Sequence, residues 1–248
     1  MDTPAKARLG RVNSTLKGEN FMREELINAF ARTAHRGLHD EAAGIPENSL
    51  PSFAAAVQEG VAIEMDLRPT ADGTVLVVHD PIAKTNPTGK GLPKFKEALE
   101  VVNGSVPLLI ELKFARYWKK HRYPYVYSFL CSLMKDLQGY QGYYAIQSFD
   151  YLFLECLKKT WPDVPRGYLL TYYNIFGNFG GFHRRADPHF IAYNIDALKE
   201  KWYKHYSVDK NIPLFTWTVD TPEKLEKSKG ITDGIIYEKT AFITSRAT

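Results

Sequence analysis

A closed (β/α)8 TIM barrel is the fold class this sequence predicts: eight short β-rich runs alternate with amphipathic helical stretches in a chain of 248 residues, a length at which α/β barrels occur as one domain. The runs are Arg32 to Arg36, Ala62 to Arg68, Leu108 to Lys113, Tyr143 to Ser148, Arg166 to Leu170, Phe190 to Asn194, Pro213 to Val219 and Gly234 to Tyr237. Start signals mark the helices between them. Asn48-Ser49 precedes the apolar-periodic Leu50 to Gln58, Ser148-Phe149-Asp150 precedes Tyr151 to Lys158, and Thr221-Pro222-Glu223 opens a helix ending near Gly230.

Two features depart from plain alternation. An Asp72-Gly73 turn leads into Thr74 to Val78, an extra strand expected to hairpin back onto the second strand. Glu19 to Phe30 reads as a helix ahead of the first strand, so residues 1–30 are expected to form a mostly helical extension capping the barrel's lower end, with the barrel itself over 31–248. A further helix is expected from Lys94 to Val102.

Composition narrows the function classes. The formal charge of +4 and pI near 8.8 favour anionic ligands weakly, and Lys and Arg are dispersed rather than gathered in a tract, which argues against nucleic acid. Cys131 and Cys156 show no metal-ligand or Cys-x-x-Cys spacing, which suits a reducing compartment. Met1 to Asn20 lacks an apolar signal core, and no run is long enough to span a bilayer. The expectation is a soluble cytoplasmic protein with no stable membrane insertion.

Catalytic groups in such a barrel belong at the carboxyl ends of the strands. Within Ala62-Ile63-Glu64-Met65-Asp66-Leu67, period-two alternation places both carboxylates on one face and apolar residues on the other. Like charges that close, with apolar flanks, need a cation or a shared proton. The third run adds Glu111, and three carboxylates from two strands can converge on one cation. An oxygen-rich, sulfur-free set suits Mg²⁺ or Ca²⁺ better than Zn²⁺. His35 ends the first run and His79 the hairpin strand, leaving two imidazoles for acid and base work. His39, His121, His183, His189 and His205 lack a comparable setting.

In this order the motifs Ala34-His35-Arg36-Gly37, Pro46-Glu47-Asn48-Ser49, Glu64-Met65-Asp66, Asp72-Gly73 with Val78-His79-Asp80, Ile110-Glu111-Leu112-Lys113, Gln147-Ser148, Trp217-Thr218-Val219 and Asp233-Gly234-Ile235-Ile236 closely resemble the glycerophosphodiester phosphodiesterase family. The resemblance implies a metal held by Glu64, Asp66 and Glu111, catalytic His35 and His79, and phosphate contacts from Arg36 and Lys113. It makes Glu47 an additional ligand or an orienter of Arg36, and gives Trp217 the glycerol side of the site. The implied activity is hydrolysis of small glycerophosphodiesters to glycerol 3-phosphate and an alcohol by histidine acid/base catalysis through a cyclic phosphate. Alternatives are a lysophospholipase D using the same residues and a non-catalytic phosphodiester-binding barrel.

Aromatic stretches at Phe114 to Tyr123 and Tyr172 to Phe182 follow the third and fifth runs, and two readings stand for them: a surface that holds a head group or an acyl chain, or a buried aromatic cluster packing one loop against the other. Two places differ from the family pattern. The segment after His79-Asp80 is short, and Tyr237-Glu238-Lys239 stands where relatives often carry Asn or Arg and Pro.

Overall fold

The computed structural model describes residues 16–81, 89–113, 122–171 and 182–238. Nine strands form one sheet: β1 (Arg32–Ala34), β2 (Ala62–Pro69), β3 (Val75–Val77), β4 (Leu108–Leu112), β5 (Tyr144–Ser148), β6 (Arg166–Leu170), β7 (Phe190–Asn194), β8 (Leu214–Val219) and β9 (Gly234–Tyr237). All except β3 are parallel to their neighbours, and β1 pairs with both β2 and β9, which closes the sheet into an eight-stranded barrel. β3 runs antiparallel on β2, with Leu67 opposite Val77, so the Asp72-Gly73 hairpin has its expected position.

Helices α1 (Leu16–Phe30), α2 (Leu50–Glu59), α3 (Phe95–Val102), α4 (Arg122–Asp136), α5 (Tyr151–Thr160), α6 (Phe182–Ala186), α7 (Glu200–Tyr203) and α8 (Pro222–Ser228) complete the elements used below. Their starts follow side-chain chemistry. Ser49 caps α2 reciprocally with Ser52, Asp150 accepts from Leu152 N at the head of α5, and Thr221 accepts from Lys224 N ahead of Pro222 in α8. Among the described residues no helix is long and apolar enough to cross a membrane.

The barrel interior is layered because every second residue of each strand faces it. Ala62, Leu109, Ala145, Leu169, Ala192, Phe215 and Ile236 form a lower apolar layer. Leu26 and Phe30 of α1 are buried in that same cluster, and the Phe30 ring lies 5.8 Å from Tyr143 and 6.2 Å from Phe215. The chain passes so close there that a Cβ on Gly234 would stand 2.5 Å from the Phe30 carbonyl oxygen. Two residues further along β2, β4 and β5 the interior turns polar, with Glu64, Glu111 and Gln147 buried, and Asp66 is buried two residues beyond Glu64. An apolar floor under a charged upper layer puts the charges at the carboxyl end of the barrel.

The strand boundaries differ from the sequence expectation by at most one residue, except at the end of β1. β1 stops at Ala34 rather than Arg36, because Arg36 takes φ +57° and turns the chain out of the strand. His35 still donates its backbone N–H to Tyr237 O at 2.9 Å and remains tied to β9.

Candidate active site

Glu64 and Asp66 rise from β2, and Glu111 from β4, where Asp66 lies in register with Glu111. Each offers a carboxylate oxygen within 4.8 Å of the others, and all three residues are buried. This is the arrangement a shared cation needs, and every donor is a hard oxygen, which suits Mg²⁺ or Ca²⁺ chemistry.

The local charge balance shows what the cluster lacks. Lys113 Nζ lies 2.9 Å from Asp66 Oδ1 and 2.6 Å from Glu111 Oε1, and Arg36 Nε lies 3.3 Å from Asp66 Oδ2. Burial works to raise Asp66, but Lys113, Asn48 and Arg36 outweigh it and hold that carboxyl below its ordinary value. Glu64 goes the other way: burial, Asp66 and Glu111 together push it well above the carboxylate range. Burial also pushes Glu111 up to about 7, although Lys113 opposes it. Two of the three acids are therefore driven toward protonation in a setting that a divalent cation would neutralise, so the residues fit a metal.

The loops over β1 and β2 hold these acids in place. Asn48 donates its Nδ2–H to Asp66 Oδ2 at 2.8 Å and accepts from Asp66 N at 3.2 Å, in a left-handed conformation with φ +51°. Glu64 accepts from the backbone N–H of Arg36 at 3.1 Å. Gly37 is required next to it: φ is +80°, and a Cβ would sit 2.5 Å from Ser52 Oγ and 2.9 Å from the Ser52 carbonyl carbon. Asn48 belongs to the Pro46-Glu47-Asn48-Ser49 motif but has no role assigned from sequence; its signal is an amide two residues before the helix that abuts β2.

The expected site residues stand as follows. His35 Nε2 lies 3.9 Å from Glu64 Oε2. His79 follows β3, is held through its carbonyl by Arg68 Nε at 2.9 Å, and has Nδ1 at 3.0 Å from Asp80 Oδ1. Burial and nearby Lys113 lower the His79 imidazole pKa, which favours the neutral ring. Glu47 stands outside the three-acid group and accepts from Arg36 Nη1 at 2.6 and 2.7 Å through both its oxygens. Trp217 donates from Nε1 to Ala192 O at 3.1 Å, and its ring meets the exposed Phe149 edge-on at 5.5 Å. The aromatic stretches fall mainly on residues 114–121 and 172–181, outside the described residues.

Sequence reasoning also missed Glu238. It follows β9 directly, donates its backbone N–H to Val219 O at 3.1 Å, and brings Oε1 to 2.5 Å from His35 Nδ1. The hydrogen bond from His35 holds the Glu238 carboxyl below its ordinary range despite burial. The alternation Gly234, Ile236, Glu238 was the available signal, since it sets Glu238 on the inner face beside the end of β1.

The chain has recognisable relatives among known proteins. Residues 35–91, which carry His35, Arg36, Glu47, Glu64, Asp66 and His79, match the glycerophosphoryl diester phosphodiesterase family. The chain is 27% identical over 234 residues to the glycerophosphodiester phosphodiesterase of Caldanaerobacter subterraneus subsp. tengcongensis, covering 82% of this chain and 91% of that protein. It is 26% identical over 246 residues to the Bacillus subtilis protein YhdW, which carries that activity as a provisional name, covering 85% and 95%. An Oleispira antarctica phosphodiesterase, solved with its product sn-glycerol-3-phosphate, shares the fold with TM-score 0.69 at 18% identity, over 83% of this chain and 92% of that one. A Parabacteroides distasonis glycerophosphodiester phosphodiesterase does so with TM-score 0.68 at 18% identity, over 84% and 92%.

Proposed function

We propose, from the premise that this chain belongs to the glycerophosphoryl diester phosphodiesterase family, that it hydrolyses small glycerophosphodiesters to glycerol 3-phosphate and an alcohol. The observation that carries this reading is the three-acid cluster at the carboxyl end of the barrel, with His35 beside Glu64 and His79 within electrostatic reach of Lys113 and Asp66. Glu64, Asp66 and Glu111 would hold a divalent cation, Mg²⁺ or Ca²⁺, whose contribution when bound is to neutralise phosphate charge and lower a hydroxyl pKa.

The chain's own groups divide the remaining work. Arg36 and Lys113 are cations within 3.3 Å of the acid cluster, placed to offset charge that develops on the phosphoryl oxygens. One of His35 and His79 accepts the proton of the substrate's 2-hydroxyl, whose oxygen attacks phosphorus. The other gives a proton to the departing alcohol oxygen. The cyclic phosphate so formed is opened by water, with the two histidines exchanging roles. Glu47 holds the Arg36 guanidinium from its outer side, and Trp217 with Phe149 makes an apolar corner suited to the glycerol carbons.

Product analysis tests the reading. Purified protein with Mg²⁺ or Ca²⁺ should release glycerol 3-phosphate from at least one member of a panel of glycerophosphodiesters and their 1-acyl forms. Binding without turnover across the whole panel would support the non-catalytic alternative and defeat the proposal. Turnover confined to the 1-acyl forms would identify a lysophospholipase D.

A further inference from the structure

Both histidines have a carboxylate at Nδ1, but the two partners differ. Asp80 faces His79 at 3.0 Å with its side chain 87% exposed, a setting in which water competes for the same hydrogen bond. Glu238 faces His35 at 2.5 Å with side-chain exposures of 24% and 14%, on a backbone anchored to β8. The opposite edge of the His35 ring, Nε2, points to Glu64 at 3.9 Å.

We propose that Glu238 is the positioning residue of His35: it accepts the Nδ1–H, fixes the ring between the ends of β1 and β9, and leaves Nε2 as the nitrogen that exchanges a proton with substrate. A neutral imidazole free in solution prefers its proton on Nε2, which in this site would present a donor where an acceptor is required. A carboxylate on Nδ1 reverses that preference by accepting the Nδ1–H. The side-chain contact of Glu238 is to His35, and its effect passes through that ring. The inference rests on the phosphodiesterase reading only for its consequence on turnover.

Histidine side-chain ¹⁵N NMR of the full-length protein tests it, recorded above the ordinary imidazole pKa of about 6.5, with the His35 signal identified by its loss in His35→Gln. Wild type should show His35 protonated on Nδ1. Glu238→Ala should shift His35 toward the Nε2–H form and lower kcat by roughly 10- to 100-fold, the loss typical of orienting carboxylates. KM and thermal midpoint should stay near wild type, and Glu238→Asp should recover part of both tautomer and rate. An Nε2–H His35 in the wild type would overturn the proposal. So would Glu238→Ala with the Nδ1–H form intact, whatever its rate, because the residue would then be merely structural. A wild-type His35 protonated on Nδ1 and lost from that form in Glu238→Ala, in a protein that cleaves no diester, would uphold the positioning and defeat the phosphodiesterase reading instead.

Discussion

Replacing Glu111 by Gln should make the metal-free protein more stable at high pH and leave it nearly unchanged at low pH. Glu111 titrates near 4.5 when exposed and is pushed up to about 7 by its burial, so between those values only the folded chain holds the proton. A carboxyl whose folded pKa is raised favours folding below its unfolded pKa and loses that advantage as pH rises to the folded pKa. At 1.36 kcal/mol per unit, the wild type should lose about 2–3 kcal/mol of stability relative to Glu111→Gln between roughly pH 5 and pH 8. Buried His189, pushed down to about 4, has the opposite slope below 6.5, so the informative quantity is the difference between the two proteins, in which His189 cancels. Relief of Glu64 adds to that difference, while Lys113 keeps Asp66 at 2.9 Å. Urea unfolding of both proteins in chelator, across that pH range, gives the number directly. Millimolar Mg²⁺ or Ca²⁺ should then stabilise the wild type increasingly with pH, as the cation displaces the proton, and should stabilise Glu111→Gln far less. A difference that does not vary with pH, or equal stabilisation of both proteins by the cation, would refute the reasoning.

Other perturbations separate chemistry from scaffolding. His79→Ala should retain cation affinity, measured by titration calorimetry, and lose roughly 10²- to 10⁴-fold in kcat; near-normal turnover would remove His79 from the mechanism. Asn48→Ala removes both hydrogen bonds to Asp66 and should weaken cation binding by roughly 10- to 100-fold. Unaltered binding in that variant would mean that Asp66 is held without it. Gly37→Ala should lower stability by about 1–3 kcal/mol, because its Cβ meets the Ser52 carbonyl carbon at 2.9 Å in a backbone conformation alanine disfavours. Unchanged urea unfolding would show that α2 can shift to make room.

The barrel was legible because its signals are local and repeated. Each parallel strand is an apolar run of a few residues, and Ser49, Asp150 and Thr221 announce helices by side-chain chemistry that operates within one turn. The pairing of Glu64 with Asp66 needs only the period of a strand, whereas bringing in Glu111 requires knowing that β4 adjoins β2. Glu238 was illegible for the opposite reason. Its partner His35 is 203 positions away, and the two meet only because the barrel closes between β9 and β1. Arg36 shows the limit of pattern reading at an element's end: its extended neighbours suggest a strand, but the φ of +57° is set by the turn that gives Glu64 the backbone N–H of Arg36.

Glycerol 3-phosphate release by rigorously demetallated protein, measured before and after restoring Mg²⁺ or Ca²⁺, tests the metal-dependent phosphodiesterase account most directly. The account predicts no release above background in chelator and turnover once the cation returns, lost again in Glu64→Gln, Asp66→Asn and Glu111→Gln. Undiminished hydrolysis without a cation, or full activity in those three variants, would contradict it.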